Sequence, residues 1–595
     1  MTTQEKLTAL RQLMEKQGID IYIVPTADYH QSEYVGKYFE ERAFLTGFTG
    51  SAGTAVVTKE AAYLWTDGRY FIQAAQQLEG SGIELQKMGE PGVPTLEEFL
   101  KDTLAEKGVL GFDGRTIDLS QGKIFEEIVN EKNGKIIANV DLVGEVWTDR
   151  PELSKEPAFL LEEKYTGEST ESKLVRVREA IAKAGATTQI ITSLDDIDWM
   201  LNIRGNDVSY FPLLLSYAVV NKDNVELYAD ESKFDATIQK MFAANHVKVY
   251  PYNDIYERVK TFTEEDVLFI DPTQTNYALF SNIPENVKTV QEENPIILMK
   301  SIKNEVEIQN IRRAHLKDAI AHTKFMYWLK TNVGKMRITE ISASEKLESL
   351  RAEQEGFIRP SFGPISAYKE HAALCHYSST PETDVELKPE GLFLTDTGGG
   401  YLEGSTDITR TVALGPVSIE QKKHFTIVVC SMLTLADARF LYGCDGSVLD
   451  YAAREPFWRA GLNFNHGTGH GVGYLGNIHE GPARIAWNQK SEARRPLEAG
   501  QIVTDEPGIY IEGSHGIRIE NELLVCNGKK NGYGQFMYFE PLTFVPIDLD
   551  ALDKDAMTVR EKMLLDAYHR KVFSLLSPYL NEEEKNWLRV YTRHI

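Results

Sequence analysis

The sequence predicts a chain of mixed α/β and α+β class, with two similar N-terminal α/β domains followed by a larger α+β domain. Three observations predict it. The 595 residues exceed one ordinary core, so two to four domains are expected. A helix–strand–helix order occurs twice in the first half. The last third then carries strand-like, glycine-punctuated segments rich in acids and histidines.

The first copy opens with an amphipathic helix in which Leu7, Leu10, Leu13 and Met14 share a face and Gly18 is the stop. Strand IDIYIVP, the stretches TADYHQSEY and FLTGFTGSAGTAVVT, strand AAYLWTD and helix GRYFIQAAQQL follow. From Glu171 the order recurs as helix SKLVRVREAIAKAG, strand TQIITS, LDDIDWMLNIRG, LLLSYAVV, strand VELYAD and helix SKFDATIQKMF. Two domains of one fold, the second a decayed duplicate, account for this. VWTDRPELSKEP, with proline and charge but no periodicity, is the expected linker. Near Ser301 a long helix begins, with Ile308, Ile311, Leu316, Ala319 and Ile320 at helical spacing. The expected domains are therefore 1–153, 154–300 and 301–595.

Composition narrows the function class. Hydrophobic content of 42% with 26% charged residues describes a soluble globular protein. A net charge of −24 argues against nucleic acid, because phosphate binding needs a basic footprint. Cys375, Cys430, Cys444 and Cys526 are widely spaced with no CxxC pair, so neither a disulfide framework nor a thiolate metal site is implied, and a reducing cytoplasm fits. The start MTTQEKLTALRQLMEKQG lacks a basic segment followed by an apolar run, and no window is apolar enough to span a membrane.

Five residues carry the chemistry: Asp396, Asp407, His470, Glu506 and Glu520, in LTDTGGGYLEGSTDITRT, HGTGHGVG, VTDEPGIY and GIRIEN. Four carboxylates alone would repel one another, whereas two hard divalent ions supply matching positive charge. LFLTDT and DITRTVAL are expected strands around a glycine-rich reversal, which would bring Asp396 and Asp407 side by side. His466 and His470 are four apart, but the glycines between them argue against a helical zinc pair. One of the two ligates, and the other supports the site or contacts substrate. His479, before Glu480-Gly481-Pro482, joins this cluster. In GIRIENELLV a period of two places Arg518 and Glu520 on one strand face, where Arg518 could orient a ligating carboxylate. Asp505 and Glu522 are competing acids ranked lower, Asp505 because it points opposite Glu506.

These motifs, with HEGP, RRAH, FEPLT at 539–543, DYHQSEY and FLTGFTGSAGTAVVT, resemble the pita-bread metallopeptidases. Within them the likeness is greatest to the long, three-domain aminopeptidase P family, and it covers nearly the whole chain. The resemblance implies two creatinase-N-like domains before a pita-bread catalytic domain. It also implies two divalent ions, typically Mn2+, with Asp396 on one, His470 and Glu506 on the other, and Asp407 and Glu520 bridging. A hydroxide held between the ions would attack the bond preceding proline. Glu506 would shuttle a proton, and His376, His466 and His479 would line the substrate pocket and assist. His371 is the nearest rival for the role of His376. Peptides with proline second are the implied substrates, and a homodimer in the cytoplasm the implied setting. Arg42, in EERAFLTG, lies where family members reach toward a neighbour's active site; a surface salt-bridge arginine is the alternative.

Two rival enzymes share the ligands: prolidase, acting on Xaa-Pro dipeptides, and methionine aminopeptidase, which needs neither the first 300 residues nor FEPLT. A non-catalytic pita-bread scaffold binding peptides or proteins is the rival of another class.

Overall fold

A computed structural model of the chain describes residues 1–491 and 493–595. It divides into two compact units, Met1–Glu163 with Glu168–Ile297, and Lys164–Gly167 with Leu298–Ile595.

The first unit starts with α1 (Thr3–Gln17), for which Thr2 and Glu5 form a capping box. Gly18 ends it at φ 70°, the left-handed geometry that favours glycine. Leu7, Leu10 and Met14 are buried, as the periodicity predicts, while Leu13 is half-buried. The first sheet comprises β1 (Ile21–Pro25), β2 (Thr54–Thr58), β3 (Ala62–Thr66), β4 (Glu84–Lys87), β5 (Val109–Phe112) and β6 (Lys135–Ile137), in the order β4-β3-β2-β1-β5-β6. Both faces of β1 are covered: Tyr22 and Val24 enter one core, Ile21 and Ile23 the other.

After α2 (Thr170–Lys183) the second sheet repeats this plan with β7 (Thr188–Ile191), β8 (Tyr217–Asn221), β9 (Val225–Tyr228), β10 (Val247–Tyr250), β11 (Val267–Ile270) and β12 (Lys288–Gln291). Its order is β10-β9-β8-β7-β11-β12. The senses match as well. In both sheets the first strand runs antiparallel to the second and parallel to the fifth. The two sheets therefore share one topology, which a chance helix–strand alternation does not explain.

The second unit is built on α3 (Glu305–Asn332), opened by a capping box between Asn304 and Glu307. It buries Ile308, Ile311, Ala319 and Ile320, with Leu316 packed partly buried. After α4 (Glu340–Ala352) comes a three-stranded antiparallel sheet of β13 (Ile365–Tyr368), β14 (Leu392–Thr397) and β15 (Ile408–Ala413), with β14 in the middle. Helices α5 (Ile419–Ala436) and α6 (Gly446–Arg459) follow. The six-stranded sheet takes β16 (Arg439–Leu441), β17 (Gly469–Gly471), β18 (Glu480–Ile485), β19 (Ile502–Asp505), β22 (Asn521–Asn531) and β23 (Gly534–Pro541), in the order β16-β23-β22-β19-β17-β18. Strands β20 (Gly508–Ile511) and β21 (His515–Arg518) form a hairpin, and α7 (Val559–Leu576) packs against the main core. Among the described residues no helix is long and apolar enough to cross a membrane.

Candidate metal centre

Antiparallel pairing of β14 with β15 sets Asp396 opposite Thr409. Asp407 lies two residues before Thr409, so the period of two puts it on the same face as Asp396, displaced diagonally rather than side by side. The glycine-rich reversal forms its own small hairpin, Gly399–Tyr401 with Gly404–Ser405.

Glycine serves a steric need at Gly469: a Cβ there would lie 1.9 Å from the Thr504 carbonyl oxygen, so only glycine lets β17 lie against that residue. The His470 N–H then donates to Thr504 Oγ1 at 3.0 Å. The approach to β17 is pinned from α6, where Arg454 pairs with Asp450 and donates to the Phe464 and His466 carbonyls, both at 2.7 Å.

Asp407, His470 and Glu520 bring ligand atoms within 4.8 Å of one another. His470 Nδ1 lies 2.9 Å from the Gly471 carbonyl, which makes it the N–H and leaves Nε2 with a free lone pair. Nε2 faces Asp407 at 3.5 Å and Glu506 at 3.7 Å. Burial, followed by repulsion from Asp396, Glu506 and Glu522, pushes the Asp407 carboxyl well above the usual carboxylate range. Glu520, by burial and then Asp407, Asp396 and Glu506, and Glu506, mainly by burial, move the same way. Asp396 Oδ1 is buried without a hydrogen-bond partner. Crowded acids, an imidazole lone pair aimed at them and an orphaned carboxylate oxygen fit hard divalent cations.

Arg518 is the cation the chain itself supplies. Its Nη2 donates to Asp396 Oδ2 and, at 3.3 Å, to the Cys375 carbonyl; Nη1 donates to the Tyr510 hydroxyl at 2.6 Å. The sequence pattern paired Arg518 with Glu520 on one regular strand. Instead β21 ends at Arg518, and Ile519 and Glu520 form a break before β22. Thr409 joins the two: its hydroxyl accepts from Arg518 Nε at 3.2 Å and donates to Glu520 Oε2 at 2.6 Å.

His466 Nδ1 lies 2.7 Å from the Gly467 carbonyl and 3.9 Å from Glu506 Oε2, while Nε2 meets the Tyr510 hydroxyl at 2.9 Å. The His479 ring stands edge-on to the His470 ring, with centroids 4.3 Å apart. His376 is half-buried in a turn, next to Cys375, whose carbonyl Arg518 holds. Its rival His371 is tied instead to the buried Glu340, with Nδ1 at 2.9 Å and 3.1 Å from its two oxygens.

Arg42 corrects the expectation of a surface arginine. It is 3% exposed, and its guanidinium donates to Thr26 Oγ1 at 2.9 Å and to the Phe48 and Gly50 carbonyls while lying over the Phe48 ring. Each of its three guanidinium nitrogens is held by an oxygen of the same domain, so Arg42 is not a surface ion pair.

Three groups at the centre escaped the sequence reading: Thr409, Tyr510 and the role of Glu522. Glu522 Oε1 accepts the Asp407 N–H at 2.7 Å and fixes that residue's backbone. The alternation along β22 carried a signal for it. Nothing local marked Thr409 or Tyr510. Asp505, on the other side of β19, is fully buried with both oxygens unpartnered, and burial pushes its carboxyl well up.

Fold and site together define a metallopeptidase of the pita-bread class. Family comparison agrees: residues 6–146 and 149–307 each match the creatinase/prolidase N-terminal domain, 309–527 the metallopeptidase family M24, and 535–595 the C-terminal region of that peptidase family. Aminopeptidase P1 of Arabidopsis thaliana is 36% identical over 99% of both chains. A probable Xaa-Pro aminopeptidase P of Pyricularia oryzae is 36% identical over 100% of this chain and 99% of its own. The crystal structure of X-prolyl aminopeptidase from Caenorhabditis elegans, described as a cytosolic enzyme with a di-nuclear active site, superposes with a TM-score of 0.95 at 35% identity over 100% of both chains. An Xaa-Pro dipeptidase from Bacillus anthracis matches with a TM-score of 0.51 at 25% identity, covering 64% of this chain and 99% of its own. The chain belongs to the aminopeptidase P family.

Proposed function

We propose that this chain removes the N-terminal residue from peptides with proline in the second position, using two divalent ions, most simply Mn2+. One observation carries the reading: the acids and His470 converge on one buried cluster in a chain alike from end to end to Xaa-Pro aminopeptidases. Prolidases share the ligands, but the dipeptidase likeness covers only 64% of this chain, against 100% for the X-prolyl aminopeptidase.

Asp396 would hold one ion, His470 and Glu506 the other, and Asp407 and Glu520 both. When bound, such a pair supplies an activated water and polarises a peptide carbonyl. The protein's own groups do the rest. The Gly471 carbonyl fixes the ligating tautomer of His470, and Arg518 orients Asp396. Glu506, a buried carboxyl held above its usual range, takes a proton and returns it toward the leaving proline nitrogen. His466, steadied by Tyr510, lines the pocket together with His479 and His376. The bond before proline has no N–H, so a peptidase that anchors that donor fails on it, whereas this set of groups does not require it.

A homodimer is supported by an exposed aromatic patch: Tyr451, Trp458 and Trp487 are 59%, 43% and 51% exposed with rings in contact. The cytoplasm is supported by four free cysteines and by the cytosolic description of the nematode relative. Purified protein is to be given Xaa-Pro-Yaa and Xaa-Pro, with and without chelator. Cleavage of the tripeptide, lost with chelator and restored by Mn2+, is expected; turnover of the dipeptide alone would overturn the assignment.

A further inference from the structure

We infer that Tyr568, on the C-terminal helix α7, is a positioning residue for the metal centre, acting through Arg410 on Glu520. The inference rests on the reading of Glu520 as a metal ligand.

Glu520 lies in the two-residue break between β21 and β22, outside either strand. Its position is set by β15. Its N–H donates to the Thr409 carbonyl at 3.1 Å, its carboxylate accepts from the Thr409 hydroxyl at 2.6 Å, and its own carbonyl accepts from Arg410 Nη1 at 2.6 Å. Arg410 is fully buried, yet every hydrogen bond it makes goes to a neutral oxygen. Nη1 also reaches the Thr409 carbonyl at 2.8 Å. Nη2 reaches Asn521 Oδ1 at 2.8 Å, the Val545 carbonyl at 2.9 Å and the Tyr568 hydroxyl at 2.8 Å, and Nε reaches the Pro546 carbonyl at 3.2 Å.

A buried guanidinium without a carboxylate partner depends on a complete shell of acceptors. The C-terminal region supplies much of that shell. The Tyr568 hydroxyl accepts from Arg410, so its own proton goes to a carbonyl, and that of Val545 is 2.8 Å away. One hydroxyl thus fixes both the guanidinium and the 545–546 segment that also holds it. The next residue, His569, makes no hydrogen bond to either: its Nε2 accepts the Ile547 N–H at 3.1 Å. Loss of the Tyr568 hydroxyl removes one of the three acceptors that share the two Nη2 protons and releases the Val545 carbonyl that the same hydroxyl holds. The guanidinium then shifts, loosening its grip on the Glu520 carbonyl.

Mn2+ affinity, read by competition with a fluorescent chelator, separates this from a packing role. Tyr568→Phe is expected to weaken Mn2+ binding by about tenfold, the scale of lost outer-shell support, with the far-ultraviolet circular dichroism of the native protein. His569→Gln, on the same helix, is expected to lower thermal stability while leaving Mn2+ affinity at the wild-type value. Equal affinities for Tyr568→Phe and wild type, with Glu520→Gln weakened, would overturn the inference and leave the site intact. Wild-type affinity in Glu520→Gln would instead overturn the ligand reading. Should Tyr568→Phe not fold, Asn521→Ala, which withdraws another acceptor from Arg410, takes its place with the same expected loss.

Discussion

Arg518 pairs with Asp396 across the floor of the acidic cluster, its Nη2 donating to Asp396 Oδ2, while Nη1 and Nε hold Tyr510 and Thr409. One planar guanidinium therefore sets the direction of a candidate ligand, of the hydroxyl that steadies His466 and of the hydroxyl that steadies Glu520. A lysine ammonium cannot span three fixed directions. Arg518→Lys is expected to lower both kcat and Mn2+ affinity by about 10- to 100-fold, the range for lost second-layer support. Steady-state kinetics with chelator titration check it. An unchanged kcat would show that the fork is dispensable.

Metal removal couples to pH through the same crowding. Asp407, Glu506 and Glu520 have folded-state pKa values raised by burial and mutual repulsion. Without metal, the unfolded chain ionises these groups near the ordinary value of about 4 while the folded chain still holds their protons. The folded state then binds more protons, so metal-free stability falls as pH rises above that value. Metal relieves the repulsion and expels the protons. The gain in melting temperature on adding Mn2+ is expected to grow from pH 5 to pH 7, with proton release visible as a buffer-dependent binding heat. A gain independent of pH would contradict the crowding account.

Lys303 and Glu480 form an ion pair that is 1% and 6% exposed at its side chains, beside His479. Glu480 pairs across the sheet with Gly471, whose carbonyl fixes His470. Removing one partner strands a buried charge, at a cost of about 3–5 kcal/mol, whereas removing both is far milder. Lys303→Met is expected to lower the melting temperature by several degrees and to depress kcat more than KM. Lys303→Met with Glu480→Gln is expected to recover most of the stability. Calorimetry of the two variants decides, and equal losses would show that the charges act independently.

How much of this is legible in the sequence depends on range. The candidate ligands are visible because each sits in a short motif whose chemistry is local: a carboxylate at a strand end, a histidine among glycines. The duplicated α/β plan is visible because helix–strand order is also local. What ties the ligands together is not. Thr409 meets Glu520 from 111 residues away, and Arg410 meets Tyr568 from 158. No periodicity signals such pairs, since they are set by packing of whole sheets. Arg42 misleads for a related reason. A charged residue in a polar stretch looks exposed until the chain folds its own carbonyls around it.

His569 supplies an acid-sensitive element remote from the ligands. It is 1% exposed, and burial, reinforced by Arg410 and Arg593, pulls its pKa down to about 3. Its Nε2 accepts the Ile547 N–H, which only the neutral ring can do. Because the folded pKa lies below the unfolded value of about 6.5, its contribution is complete above that pH and is lost as pH falls toward 3. At pH 5 the proton taken up by the unfolded chain costs about 2 kcal/mol. His569→Gln, which titrates in neither state, is expected to flatten the decline of stability between pH 6.5 and pH 4 while starting from a lower value at pH 7. Melting curves across that range test it. Parallel declines for the variant and the wild type would assign the acid sensitivity to other groups.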